Sequence, residues 1–117
     1  MTHTHTSTDL QACIEACLHC HTTCLSTAAH CLSMGGEHAS RAHQTLLADC
    51  AQACITSAGF MARQSDFHER YCETCAEICE ACAEDCHRLA SGDAKMMQCA
   101  EACQQCASHC RRMSQMA

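Results

Sequence analysis

The chain has no proline, no tryptophan and no valine, and its 117 residues include one tyrosine, two phenylalanines and four glycines. Without proline, the commonest interruption of a long helix is missing. Seven Lys and Arg stand against thirteen Asp and Glu, a formal net charge of −6. That balance gives no basic footprint, and so few aromatics give no stacking platform, so no nucleic-acid partner is expected. No stretch approaches the roughly 18 uninterrupted apolar residues of a membrane span, so no membrane partner is expected either. The segment Met1–Asp9 is rich in threonine and histidine and shows no basic region followed by an apolar one. On that reading the chain carries no export signal and is cytoplasmic. Leucine, isoleucine and phenylalanine total only twelve residues. By that measure alone the composition lies near the disordered class.

What fills the gap is cysteine, sixteen residues of it. Twelve fall into three copies of C-x3-C-x2-C-x3-C: Cys13, Cys17, Cys20, Cys24; Cys75, Cys79, Cys82, Cys86; and Cys99, Cys103, Cys106, Cys110. Cys31, Cys50, Cys54 and Cys72 complete the set. Steps of three and four bring side chains onto one face of an α-helix, so each copy predicts a stripe of thiols. A free thiol packs as a small hydrophobe, which lets such stripes form a core. Disulfides fit poorly. Cytosolic thiols are kept reduced, and two cysteines at i and i+4 on a helix project side by side, out of register with the disulfide dihedral.

Turn signals divide the chain into four helices near residues 8–34, 37–63, 66–90 and 93–114. Gly35-Gly36 and Ser91-Gly92 suit helix C-termini, and Ser65 or Asp66 suits an N-cap, with Asp66 and Glu69 at capping-box spacing. Residues 1–7, including His3 and His5, are expected to be a mobile tail and residues 8–117 a single domain. Short connections between helices of similar length predict an all-α, antiparallel four-helix bundle with a cysteine-lined core. Helix 2 is the poorest in thiols. Its inward phase runs His43, Leu47, Cys50, Cys54, Ser57 or Ala58, and Met61, with Leu46, Ile55 and Phe60 as ordinary packing. One end of the bundle should gather Cys13, Met61, His68, Cys72, Cys110 and Met113, and the other Cys31, Met34, His43, Cys86, Met96 and Cys99.

Rows of soft thiolates suit Cu(I), which accepts two or three soft ligands and shares bridging sulfurs. A Cu(I) ion for each thiolate also neutralises the core, whereas zinc at one ion to four thiolates leaves it strongly negative. Structural zinc calls for four converging ligands, usually from knuckles and turns, and straight rows do not predict them. Iron–sulfur spacings wrap a loop round the cluster and are absent. No single cysteine is set apart as a nucleophile with its own histidine, so no enzyme is expected. The candidate ligands are the sixteen cysteines together with His43, His68 and Met61. His19, His21, His30, His38, His87 and His109 lie off the main phase and are expected at the surface. The reading is a store for multiple Cu(I) ions; the alternatives are a low-capacity copper carrier and a general thiol–metal (zinc) buffer.

The three stripes, the scarcity of aromatics and the flanking Met and His residues resemble the bacterial copper storage proteins, a family of cysteine-rich four-helix bundles. The resemblance spans nearly the whole chain. It implies Cu(I) held mainly by cysteine pairs inside each bundle, and a homotetramer. The missing export signal resembles the family's cytosolic branch. Helix 2, where Cys50 and Cys54 stand alone, departs from the pattern.

Overall fold

The computed structural model describes residues 7–115. Four helices follow one another: α1 (Ser7–Met34), α2 (Arg41–Ala62), α3 (His68–Ala90) and α4 (Ala94–Gln115), with a 3-10 turn at Gly36–Ala39 between the first two. They pack as an antiparallel bundle in which each helix lies against its sequence neighbour and α4 closes back on α1. The bundle measures 49 × 21 × 17 Å. Apart from Ser7, which opens α1, the expected tail lies outside the described residues, and so do His3 and His5.

Two helix starts differ from expectation. Gly35 and Gly36 both have positive φ (74° and 58°), which suits residues without a Cβ. The chain then makes a 3-10 turn rather than entering α2 at residue 37. Ser40 breaks it with extended backbone, and its hydroxyl accepts from the His43 N–H at 3.2 Å, so α2 starts at Arg41. At α3 the Asp66–Glu69 capping box is not the cap. Gln64 takes φ 53°, and Ser65 Oγ accepts from the Phe67 N–H at 3.1 Å. The Ser65 carbonyl accepts from the His68 N–H at 3.1 Å, which leaves Phe67 at the cap position. The other end of α3 follows expectation, with Ser91 in the left-handed region at φ 44°. Asp93 then receives the Met96 N–H at 2.9 Å and caps α4.

All sixteen cysteines are buried free thiols. Buried alanines flank them, among them Ala51, Ala76, Ala83, Ala100 and Ala107. Side chains this small let the helices approach closely. The larger buried side chains are Leu47, Met61, Met96, Met113, His43 and His68, which lie toward the bundle's ends. The outward face of α3 carries Glu73, Glu77, Glu80 and Glu84, all exposed. Ile55 is also exposed, since α2 turns it away from the core row. Among the described residues no helix is long and apolar enough to cross a membrane.

Candidate metal centre

The helical phase of each stripe points its sulfurs at the bundle axis, and the antiparallel arrangement interleaves them. A path of close sulfur pairs runs along the interior. It begins at Cys13–Cys110 (3.8 Å), Cys110–Cys17 (3.7 Å) and Cys17–Cys106 (3.5 Å). It continues through Cys106–Cys54 (3.7 Å), Cys54–Cys79 (3.6 Å) and Cys79–Cys50 (3.7 Å). Cys50–Cys103 (3.8 Å), Cys103–Cys24 (3.8 Å) and Cys24–Cys99 (4.0 Å) complete it. Cys20 joins at Cys50 and Cys103, and Cys75 joins at Cys79. Cys72 groups with Cys13 and Cys110, while Cys82 and Cys86 extend the row beside Cys99.

These contacts correct one expectation. The rows do produce converging quartets: Cys17, Cys75, Cys106, Cys110; Cys20, Cys50, Cys54, Cys79; Cys20, Cys24, Cys50, Cys103; and Cys54, Cys75, Cys79, Cys106, each with its sulfurs within 4.8 Å of one another. A zinc tetrathiolate places its sulfurs about 3.8 Å apart, so local geometry alone does not exclude zinc. The quartets overlap, however. Cys20, Cys50, Cys54, Cys75, Cys79 and Cys106 each belong to two. Isolated tetrahedral sites cannot all fill at once, whereas ions that share bridging sulfurs can. The donors present, soft and densely shared, fit Cu(I).

Protons are shared along the row as well. The Cys17 thiol is lowered to about 6 because Cys106 and Cys110 donate to its thiolate. Cys20, Cys50, Cys75 and Cys99 are lowered likewise, Cys75 chiefly by Cys106 and the other three chiefly by Cys103. Cys103 and Cys106 are raised, as donors to Cys20 and Cys110 first. Cys72 is pushed up to about 12, mainly by its hydrogen bond with Cys110. Hydrogen bonds between neighbouring sulfurs thus lower some thiols and raise others within the one row.

Residues 6–115 match the profile of the copper storage protein family. The chain belongs to the copper storage protein family. Its fold matches that of a protein from Nitrosospira multiformis with TM-score 0.89 and 47% identity, over 96% of this chain and 100% of that one. The Cu(I)-bound copper storage protein BsCsp3 matches at TM-score 0.83 and 34% identity, over 91% of this chain and 98% of that one. The apo form of copper storage protein 3 from Bacillus subtilis matches at 0.78 and 36%, over 89% and 97%. The cysteine-rich protein YhjQ of Bacillus subtilis is 35% identical over 68 residues, 58% of this chain, which spans 63% of that relative's length. The family is described by its storage of copper.

Within this member of the family the remaining expected residues divide between the two ends. His68 and Met61 are buried at the end that holds Cys13, Cys72 and Cys110, as is Met113. His68 Nδ1 lies 2.7 Å from the Ser65 carbonyl, and Ser57 Oγ lies 3.4 Å from Cys72 Sγ. At the other end Cys31 Sγ meets Met96 Sδ at 3.2 Å and His43 Nε2 at 3.5 Å. Met34 is not part of that cluster, because it is the last residue of α1 and faces outward, 45% exposed. His38 takes a place there instead, with Nδ1 3.9 Å from Cys31 Sγ and its ring edge-on to His43. It sits in the 3-10 turn, where no helical phase marks it. Among the other off-phase histidines, His19 and His87 are exposed. His21 reaches the Ala51 carbonyl at 2.7 Å, and His30 pairs with Asp93.

Proposed function

We propose that this protein stores Cu(I) in the cytoplasm, holding many ions per monomer on the sixteen cysteine sulfurs, with His43, His68 and Met61 as ligands at the ends. The observation that carries this reading is the unbroken path of sulfur pairs at 3.5–4.0 Å through all four helices. The Cu(I)-bound relative of the same fold supports it. Cu(I) enters as cargo: each ion displaces thiol protons to water, and the thiolates left behind bridge neighbouring ions. Sixteen free thiols suit a reducing compartment. Assembly into a homotetramer, implied by the resemblance, draws support from the outer face of α1. Leu18, Leu25 and Leu32 repeat there every seven residues at 42%, 51% and 60% exposure, a seam that a second copy of the chain can cover.

Anaerobic titration of the fully reduced protein with Cu(I) tests the central reading. Uptake should reach a number comparable to the cysteine count. Saturation at one or two ions would indicate a low-capacity carrier. The converging quartets favour a second reading, a thiol–metal buffer for zinc. That reading requires zinc to saturate the protein and to resist displacement by Cu(I).

A further inference from the structure

Cys31 stands apart from the sulfur path. Its sulfur contacts are Met96, His43 and His38 rather than another cysteine, and Thr27 occupies the α1 row between it and Cys24. On α2, Leu47 separates His43 from Cys50 in the same way. This end cluster is therefore a small donor set of its own, one thiol, one thioether and one buried imidazole. It is set off from the store by a hydroxyl on α1 and an aliphatic side chain on α2, and adjoins it on α4, where Cys99 follows Met96 by three residues.

The imidazole donates a lone pair to a metal only if its proton is on the other nitrogen. His43 is 1% exposed, and its backbone is fixed in the first turn of α2 by the Ser40 cap. Its Nδ1 lies 2.7 Å from Asp85 Oδ2. The other oxygen of Asp85 accepts from Arg88, at 2.8 Å from Nη2 and 3.3 Å from Nε. A carboxylate held by a guanidinium has no proton to give, so Nδ1 must be the donor, and in the neutral imidazole Nε2 then carries the lone pair. That lone pair faces Cys31 Sγ. The same arrangement of carboxylate, histidine and metal orients ligands and raises their basicity elsewhere.

We propose that Asp85 is a positioning residue that fixes His43 as the Nδ1–H tautomer and so makes Cys31, His43 and Met96 a Cu(I) transfer site distinct from the sulfur store. The inference rests on the Cu(I) reading above. At this site Cu(I) replaces the thiol proton of Cys31, which leaves to water, and the imidazole and thioether complete a neutral, soft donor set. One thiolate with two neutral ligands holds the ion less firmly than the thiolate pairs beyond Thr27, so exchange runs inward to Cys24 and Cys99.

A merely structural role is the rival explanation, because Arg88 also ties Asp85 to Glu37 of the 3-10 turn at 3.2 Å. Glu37→Ala cuts that tie and leaves both the Asp85–His43 and the Asp85–Arg88 hydrogen bonds in place. The test uses the reduced, full-length apo-protein labelled with 15N at histidine, and long-range 1H–15N NMR reads the tautomer. The wild type should show His43 protonated at Nδ1. In Asp85→Asn the amide can donate to Nδ1 and release that preference, and Cu(I) uptake from a bicinchoninate complex should slow about tenfold, with the final number of ions unchanged. Asp85→Glu should recover most of the rate, and Glu37→Ala should match the wild type in both measurements. Protonation of wild-type His43 at Nε2 overturns the proposal without any variant being needed. So does an Asp85→Asn protein with the wild-type uptake rate, or a Glu37→Ala protein slowed equally. Low total capacity in the wild type would refute storage while leaving the tautomer result standing.

Discussion

Replacing Cys79 with serine tests whether the sulfur path is the store or only the core. Cys79 Sγ lies 3.6 Å from Cys54, 3.7 Å from Cys50 and 3.9 Å from Cys75, and it belongs to two of the four quartets. A hydroxyl oxygen is smaller and harder than a thiolate and a poor ligand for Cu(I). Ions shared through Cys79 must move to other sulfurs or leave, so the loss should be on the order of two ions, one for each quartet. The apo-protein should also weaken. The site is fully buried, and a hydroxyl among sulfurs loses hydration for weak hydrogen bonds, at a cost of about 1–2 kcal/mol. For a domain of this size that corresponds to a melting temperature lower by about 4–8 °C. His19→Ala, on the exposed face of α1, should change neither quantity. Anaerobic titration against bicinchoninate gives the capacity, and thermal circular dichroism of the apo form gives the stability. Full capacity in Cys79→Ser, with ions lost in His19→Ala, would show that the metal sits outside the bundle.

Three further outcomes follow from particular residues. The folded Cys72 thiol is raised from 9.0 to about 12, so it contributes stability below pH 9 that is lost as the pH rises from 9 to 12 and the unfolded thiols ionise. Denaturant melts of the apo-protein should weaken across that window while those of the Cu(I)-loaded protein, whose sulfurs are already deprotonated, should not; equal loss in both forms would contradict the assignment. Thr27 is fully buried and its Oγ1 has no hydrogen-bond partner among the described residues. Thr27→Val, which keeps the shape and removes the hydroxyl, should therefore raise the apo melting temperature by about 4 °C, with a fall counting against the reasoning. Leu25→Glu, at the middle of the exposed leucine seam on α1, should dissociate the assembly in sedimentation velocity while leaving the helical circular dichroism intact, and an unchanged sedimentation coefficient would place the contact elsewhere.

The helices and their inward faces were readable in the sequence because cysteine marks the phase unambiguously. Every striped cysteine, and His43 and Met61 on the thiol-poor helix, is buried where its spacing placed it. Two things escaped. The first is whatever depends on irregular backbone: His38 reaches Cys31 from a 3-10 turn, and the start of α3 is set by the hydroxyl and carbonyl of Ser65 rather than by the Asp66–Glu69 pair. Periodicity carries no information about such segments. The second is convergence across helices. A stripe shows that sulfurs share a face but not how four stripes interleave, and the straight-row argument against zinc failed for that reason. The same interleaving explains α2. Its row of Cys50, Cys54, Ser57 and Met61 repeats the x3, x2, x3 spacing of the other helices, with a hydroxyl and a thioether in the last two places. Ser57 Oγ sits against Cys72, so α2 lines the same channel with weaker donors toward the end that holds Cys13 and Cys110. Ion density should therefore be greatest between Cys17 and Cys24 and thin toward that end, because a bridging thiolate is replaced there by groups that can hold an ion but cannot neutralise it.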